Sequence, residues 1–111
     1  QVVMTIYLND TAKEVEVNQL KKSLAMADYT KEAKYVSKEE AAELMKAETG
    51  EDFMDFVGYN PLKNSIDVYL KADYVTTEQL TEITESLSNK AFIEEIRYDN
   101  DLVELMNDNS R

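Results

Sequence analysis

Apolar and polar side chains alternate without interruption through residues 64–71, which read Asn64-Ser65-Ile66-Asp67-Val68-Tyr69-Leu70-Lys71. Ile66, Val68 and Leu70 are spaced two residues apart, so in an extended chain they point to the same side. This spacing predicts a strand that turns one apolar face towards a core.

A second copy of this pattern near the start of the chain indicates an internal repeat. Ile6-Tyr7-Leu8 matches Val68-Tyr69-Leu70 at an offset of 62 residues. Two further pairs match at an offset of 63 residues: Leu24 with Leu87, and Tyr35 with Tyr98. Such repetition indicates a duplicated βαβ unit, and two interlocked units form the ferredoxin-like split βαβ fold. We therefore expect an α+β domain with a four-stranded antiparallel sheet and two helices packed on one face.

The first copy contains a strand, a helix and a second strand. Residues 2–8 are apolar at every second position, which predicts a strand. Residues 17–27 carry apolar side chains at helical spacing, which predicts a helix. Residues 29–36 return as the second strand, and we expect its aromatic side chains, Tyr29 and Tyr35, to pack rather than to take part in chemistry.

The second copy repeats this order after the strand at 64–71. Thr76 and Gln79 have the spacing of a capping box, which predicts the start of a helix. The last strand is expected at residues 91–98. Ile93 and Ile96 break its alternation, which predicts either a bulge or a late start of the strand.

The chain length suits one domain with a single core, so we expect residues 1–111 to fold together. The two copies form a scaffold from residues 1–36 and 64–111, which ends in a short closing helix at 101–106. Residues 37–63 interrupt this scaffold as an inserted helical lobe.

Two short helices are expected in the lobe. Ser37 and Glu40 have the spacing of a capping box, so one helix begins there, and Gly50 ends it. The acidic pair Glu51-Asp52 lies where a helix N-terminus favours negative charge, so a second short helix follows. The segment through Asn60-Pro61 then returns the chain to the sheet.

Large apolar side chains are densest in the lobe, which is too small to bury all of them against itself. They could close over one end of the sheet. Alternatively, they could form a partly exposed apolar groove, rimmed by carboxylates, that accepts a helix or loop of a partner protein. This second interpretation places the partner contact on Met45, Phe53, Met54, Phe56 and Val57. We expect Leu44 and Leu62 to be buried beneath them.

The composition excludes several kinds of function. With no His and no Cys, the chain has no Ser-His-Asp triad, no Cys nucleophile and no ordinary zinc site. Two glycines cannot build a Gly-rich phosphate loop. The net charge of −11 argues against nucleic acid and against an anionic membrane surface. The lobe carries seven acidic and three basic residues, which favours a partner with basic residues around its apolar contact.

Two chemical alternatives depend on acidic side chains. Glu39-Glu40 and Glu94-Glu95 could supply the two carboxylates of a glycosidase-like site, which need a defined separation. Adjacent acidic pairs are expected by chance among 23 acidic residues. Asp99-Asn100-Asp101 begins like a calcium loop, but Val103 and Glu104 stand where a ligand and the turn glycine should be. We therefore expect no catalytic activity, no metal and no cofactor.

Three segments together resemble the extracytoplasmic domain of the bacterial FtsX cell-division family. They are Tyr35-Val36-Ser37-Lys38-Glu39-Glu40-Ala41, Gly50-Glu51 and Asn60-Pro61-Leu62. Family members carry a strand, a similar Ser-Lys-Glu-Glu-Ala helix start, and an Asn-Pro-Leu-Pro segment that leads into the next strand. Here Lys63 replaces the second proline, which predicts a less rigid loop before Asn64. The resemblance runs from about Met4 to Asp101.

The resemblance implies a location and a role. FtsX proteins are membrane proteins of the ABC-transporter type, and this domain lies between their first two membrane spans, outside the cytoplasmic membrane. They pair with the cytoplasmic ATPase FtsE, whose cycle shifts the outer domain so that a peptidoglycan hydrolase is activated, directly or through an adaptor. The implied role is non-catalytic recognition and coupling, with the helical lobe binding the partner. The sequence shows no membrane span, which the resemblance would explain as an excised domain that we expect to be monomeric.

Two other kinds of binding domain remain possible from the sequence. The outer domain of another ABC-type permease would bind a different envelope partner. A small-ligand regulatory domain on a ferredoxin-like fold would need a concave, partly polar pocket between the sheet and its helices.

Overall fold

Four strands and four α-helices make up most of residues 1–99, which are the part of the chain that the computed structural model describes. The strands are β1 (Val3–Leu8), β2 (Thr30–Val36), β3 (Ser65–Leu70) and β4 (Ile93–Tyr98). The helices are α1 (Glu14–Met26), α2 (Lys38–Thr49), α3 (Phe53–Val57) and α4 (Thr77–Ser88), and a short 3₁₀ turn covers Ala72–Tyr74. The closing helix predicted at 101–106 lies outside the described residues.

The strands form one sheet in the order β2-β3-β1-β4, and every neighbouring pair is antiparallel. Strands β1 and β2 are therefore parallel, with β3 between them, and α1 connects them. Strands β3 and β4 are likewise parallel, with β1 between them, and α4 connects them. Two βαβ units interlock in this way in the ferredoxin-like split βαβ fold, so the predicted fold is confirmed.

The core lies between one face of the sheet and the helices α1 and α4. At its centre, Ile6 stands opposite Ile66 on one side and Ile96 on the other. The alternating side chains of the two central strands and the apolar stripes of both helices form one buried cluster. Its members are Met4, Ile6, Leu8, Leu20, Leu24, Ile66, Val68, Leu70, Leu80, Ile83 and Leu87.

The internal repeat is visible in three dimensions. Strands β1 and β3 begin 62 residues apart, while α1 and α4, like β2 and β4, begin 63 residues apart. Leu24 and Leu87 are both buried at matching positions of their helices. Tyr29 and Tyr35 pack at the border of the core, which confirms their predicted packing role, and Tyr98 packs there as well.

The break in the alternation of the last strand comes from a bulge together with a late start. Tyr7 stands opposite Glu95, but the next residue of β1, Leu8, stands opposite Ile93. Glu94 is therefore the extra residue on β4, and β4 begins at Ile93 rather than at residue 91.

Helix α1 begins earlier than its apolar stripe predicts. It starts at Glu14 rather than at Val17, because the Glu16 carboxylate accepts a hydrogen bond from the Lys13 backbone N–H at 3.0 Å. This contact satisfies a backbone donor ahead of the first turn, and acidic residues there also suit the helix dipole. None of the helices within residues 1–99 combines the length and the apolar character needed to cross a membrane.

The duplicated packing of the two helices can be tested at matching positions. Leu24 is 1% exposed and Leu87 is 5% exposed. Replacing either by Ala removes buried apolar atoms and leaves a cavity, so each variant should lose about 2–5 kcal/mol of unfolding free energy. Urea denaturation measures this loss. Met26→Ala, at a position that is 83% exposed on α1, should change stability by less than about 0.5 kcal/mol. A Leu87→Ala variant as stable as the Met26→Ala control would contradict the packing.

Candidate functional site

The helices of the lobe, residues 37–63, begin and end on local contacts that the sequence predicts. The Ser37 hydroxyl accepts a hydrogen bond from the Glu40 backbone N–H at 3.1 Å and starts α2. Gly50 adopts φ 74° and ends it. The Asp52 carboxylate accepts a backbone N–H of α3 at 3.1 Å, and Gly58 ends α3 with φ 85°. Glycine adopts such positive φ values without the strain that most other residues incur, so the two glycines predict both helix ends.

Two asparagines attach the returning end of the lobe to the start of α2 and to the sheet. The Asn60 side chain donates to the Lys38 carbonyl at 3.0 Å and accepts from the Leu62 N–H at 3.0 Å. The Asn64 side chain accepts from the Lys38 N–H at 2.8 Å, while its backbone carbonyl accepts from the Leu8 N–H at 2.9 Å. The segment through Asn60 and Pro61 is therefore a side-chain-stabilised turn that closes the base of the lobe.

Four charged side chains connect the base of the lobe with the scaffold. Lys63 lies 3.3 Å from Asp10, in the loop after β1, and 3.8 Å from Glu94, the bulged residue of β4. Lys38 lies 3.7 Å from the same Asp10. We call this group the ion cluster. Lys63 stands where the resemblance to the family places a second proline, and its side chain pairs with Asp10 there, while the lower rigidity expected of this loop stays a prediction.

The structure divides the five predicted contact residues into exposed and half-buried groups. Met45 is 39% exposed, Val57 is 47% exposed and Phe56 is 93% exposed. Phe53 and Met54 are half-buried. Helix α3 has no buried residue at all, so its apolar side chains do not belong to the core.

The expectation that Leu44 is buried beneath the contact residues is wrong. Leu44 is 55% exposed, and Ala42 is the buried residue of α2. Ala42 lies two positions before Leu44, which corresponds to more than half a turn of helix, so α2 presents a different face to the scaffold than the expected burial of Leu44 requires. Leu62 is half-buried. Tyr59, which the sequence reasoning left out of the contact, is 66% exposed.

A groove of about 390 Å³ lies between the lobe and the face of the sheet that α1 and α4 leave uncovered. Its apolar walls come from both parts, and its rim carries charges of both signs. It is lined by Tyr7, Met45, Pro61, Leu62, Lys63, Glu94, Glu95 and Arg97. Of the five predicted contact residues, only Met45 lines this groove. The other four are on α3, outside it.

Arg97 contacts two other residues that line the groove. Its guanidinium donates to the Glu95 carboxylate and lies 5.5 Å from the centre of the Tyr7 ring. The hydrogen bond to Glu95 raises the pKa of the guanidinium. The Tyr7 ring, covered by a cation on one side, offers a flat apolar wall to a ligand.

The carboxylate pairs considered for catalysis have different surroundings. Glu94 lies near Lys63, and Glu95 is bonded to Arg97. Glu39 and Glu40 are both exposed in the first turn of α2. Within residues 1–99, no group of three or more His, Cys, Asp or Glu side chains could hold a metal ion. Most of the calcium-loop candidate at 99–101 lies outside the described residues.

Three matches with known proteins are of one kind. A family model described as the FtsX extracellular domain matches residues 1–110. A cell division protein FtsX of Flavobacterium johnsoniae is 38% identical over 109 residues, which cover 98% of this chain and 38% of that protein. The chain thus spans less than half the length of this relative.

The third match is a solved structure, extracellular domain 1 of FtsX from S. pneumoniae in complex with undecyl-maltoside. It superposes with a TM-score of 0.69 over 86% of this chain and 92% of that chain. The sequence identity is 19%, so this match supports the fold alone.

The turn at Asn60 can be tested with a matched pair of variants. Asn60→Ala removes both side-chain hydrogen bonds and should lower the unfolding free energy by about 1–2 kcal/mol. Asn60→Asp keeps the acceptor for the Leu62 N–H but loses the donor to the Lys38 carbonyl. Hydrogen exchange should therefore accelerate at Leu62 in the Ala variant and less so in the Asp variant. Equal exchange at Leu62 in all three proteins would show that this turn does not depend on Asn60.

Proposed function

The chain belongs to the family of FtsX extracellular domains, and from this membership we propose that it binds and activates a peptidoglycan hydrolase, or the adaptor of one, during cell division. As a member of this family, it is a domain of a cell-division membrane protein that lies outside the cytoplasmic membrane. In our proposal it works within an FtsEX-type complex, coupled to the FtsE ATPase through the membrane part of the parent protein. The isolated domain is a monomer in this proposal.

The exposed apolar side chains of the lobe carry the proposal. Burying a Phe side chain is worth about 1.5–3 kcal/mol, yet Phe56 is 93% exposed. Helix α3 is nevertheless a defined element, because the Asp52 carboxylate accepts the Met54 N–H at its start and Gly58 ends it, and Lys46 on α2 lies 3.9 Å from Asp52. An aromatic side chain displayed on a positioned helix is typical of a protein interface.

The neighbours of Phe56 extend this surface across both helices of the lobe. Five large apolar side chains are more than one third exposed there: Leu44, Met45, Phe56, Val57 and Tyr59. Met adapts its shape to irregular partners, while Phe and Tyr provide rigid contact area. A partner helix or loop with an apolar face would bury these side chains. The lobe, residues 37–63, is thus our proposed partner-binding unit, with Leu44 and Tyr59 added to the five residues that the sequence indicates.

The charge of the lobe selects the kind of partner. Glu39, Glu40 and Glu43 are exposed on α2, and Asp55 is exposed on α3. A partner with Lys or Arg around its apolar contact would be attracted to this surface, and its association rate would fall with rising salt.

The carboxylates beside the groove suit binding of a partner protein rather than catalysis. Glu94 and Glu95 are each paired with a cation, so neither is a free acid or base beside the groove. In our proposal the hydrolytic chemistry belongs to the partner. The chain alone should release no soluble fragments from purified peptidoglycan, and fragments released in the absence of any partner would overturn this part of the proposal.

The contact can be tested by titration calorimetry of the chain against the envelope hydrolases and adaptors of its source. Phe56→Glu should fold normally, because the side chain is exposed, and should abolish binding. Truncation of a central aromatic anchor by Phe56→Ala typically costs about 2 kcal/mol or more of binding free energy. Met26→Glu is the matched control, since Met26 is 83% exposed on α1, in the scaffold. If no partner binds, or the folded Phe56→Glu variant binds as well as Met26→Glu, the lobe is not the contact surface.

The detergent bound to the pneumococcal domain suggests a second probe of the same surface. We propose that the alkyl tail of undecyl-maltoside binds the apolar side chains of the lobe in this chain. In NMR titrations, resonances of Met45 and Phe56 should shift with undecyl-maltoside and should not shift with maltose, which lacks the tail. Shifts restricted to the scaffold would exclude the lobe as the site of alkyl binding.

A further inference from the structure

We propose that the edge strand β2 binds an extended segment of a partner protein as an additional antiparallel strand of the sheet. The segment that fits carries an acidic residue opposite Lys34 and, two residues later, a basic residue opposite Glu32. We call the surface that receives it the β2 edge, which consists of Glu32, Ala33, Lys34 and Tyr35. The β2 edge shares no residue with the lobe, and the proposal does not depend on hydrolase binding.

The backbone groups that can pair with such a segment follow from the contacts of the neighbouring strand. The Leu70 N–H donates to the carbonyl that precedes β1 at 3.0 Å, so β3 bonds towards β1 at its even-numbered residues and towards β2 at its odd-numbered ones. The odd-numbered Asp67 stands opposite Lys34. Lys34 therefore bonds towards β3, whereas its neighbours Ala33 and Tyr35 direct their N–H and C=O groups to the open side of β2. These groups can bond to an added strand.

The charged side chains of the β2 edge differ from their counterparts in the second repeat. Glu32 and Lys34 correspond to Glu95 and Arg97 of β4 at the repeat offset of 63 residues. The Arg97 guanidinium donates to the Glu95 carboxylate, so the two charges on β4 are paired with each other. Among the ion pairs within residues 1–99, none includes Glu32 or Lys34, and both side chains are exposed. They are therefore available to a partner.

Strands β2 and β3 together carry no net charge, although the whole chain is acidic. Lys34 stands opposite the Asp67 carboxylate on β3, and the exposed Lys31 precedes Glu32 on β2. These four side chains are the charged residues of the two strands, with two charges of each sign. Because no net charge attracts every partner to this edge, the position of each charge decides which segment pairs with it.

The order of the two exposed charges selects the sequence of the partner segment. In an antiparallel pair, a residue two positions further along the partner stands two positions earlier on β2. A segment that reads acidic, any residue, basic therefore places opposite charges across from both Lys34 and Glu32. The reverse order places like charges across from both, which destabilises a strand pair. Lysines on an edge strand also oppose pairing with unrelated strands.

The other face of the β2 edge favours an apolar residue in the partner and disfavours a second copy of this chain. The Tyr35 ring has the Lys21 ammonium of α1 at 4.9 Å from its centre. Burial raises the pKa of the Tyr35 hydroxyl, and the nearby Glu39 carboxylate raises it further. A second copy paired about Ala33 would place its Lys31 opposite Tyr35 and bring a second ammonium group towards the same ring. A β-branched apolar residue at that position packs against the ring instead.

The strand is regular where the proposed pairing occurs, but the contact is short. The register of β2 shifts between Thr30 and Glu32, before the β2 edge, and the strand contains no Gly and no Pro. The other edge strand, β4, is interrupted within its length by Glu94. A contact of four residues buries less than about 1,200 Å², the lower limit of stable interfaces, so a short peptide should bind weakly. A segment of a larger partner would bind more tightly through its further contacts.

The first test is an NMR titration of the isotope-labelled chain with the peptide Thr-Val-Glu-Val-Lys-Val-Thr, whose acidic and basic residues have the order that fits. The amide resonances of Ala33 and Tyr35 should shift, because their N–H groups gain carbonyl acceptors. The peptide Thr-Val-Lys-Val-Glu-Val-Thr has the same composition and net charge but the reverse order. It should bind at least about tenfold more weakly, because like charges face each other at two positions.

An exchange of the two charges on the chain should reverse this preference. The Glu32→Lys/Lys34→Glu variant keeps the net charge and should bind the second peptide more tightly than the first. Glu14→Lys/Lys22→Glu is the matched control, since it makes the same exchange at exposed positions of α1. This control should keep the preference of the unchanged chain.

The proposal is wrong if the first peptide does not shift the resonances of Ala33 and Tyr35, if both peptides bind equally well, or if the exchanged variant keeps the original preference. Sedimentation equilibrium tests the other occupant, and the chain should remain a monomer. A dimer at the concentrations used in the titration would identify a second copy as the occupant and overturn the proposal. Because no residue of the lobe takes part, failure here leaves the hydrolase contact intact.

Discussion

Asn64 connects the lobe to the sheet, and the orientation of the proposed partner surface depends on it. Its backbone carbonyl bonds to the end of β1 at 2.9 Å, and its side chain accepts the first N–H of α2 at 2.8 Å. A part-buried polar group that loses its partner costs about 1–3 kcal/mol, so this arrangement resists change. The same residue leads directly into β3. The base of the lobe is therefore held against the two central strands. The helices α2 and α3 beyond it present the exposed side chains that we propose for partner binding.

Most strands and helices of the scaffold can be predicted from the sequence, because the patterns that indicate them are local and periodic. The alternation at 64–71 predicts β3, and the match between Leu24 and Leu87 predicts two equivalent helices. Both signals depend only on residues within one element, or on copies of that element. The fold follows because two βαβ units with short connections interlock in few ways. The disturbed alternation at Ile93 and Ile96 was informative for the same reason, since the extra residue Glu94 displaces the pattern within a single strand.

The candidate site is less predictable, because its details depend on contacts between distant residues. The expected burial of Leu44 implies one packed face of α2, but the residue of α2 that is buried is Ala42, whose small side chain gives little signal in the sequence. In the sequence, Lys63 is notable only because it replaces a proline. Its hydrogen bond to Asp10 could not be predicted, since the two residues are 53 positions apart in the chain. The exposure of Phe56 likewise depends on the placement of α3, a helix too short for its periodicity to define a buried side.

The connection between the scaffold and the lobe combines contacts of different strength. The loop after β1 provides Asp10 and the bulge in β4 provides Glu94, and both carboxylates lie close to Lys63 at the base of the lobe. These partly exposed ion pairs are each worth only about 0–1 kcal/mol, less than the hydrogen bonds that Asn64 makes to β1 and α2. If the lobe changes its angle to the sheet, the ion pairs will therefore break before the Asn64 contacts do. Lys63 and Glu94 also line the groove beside Met45, so the groove would change its shape with them.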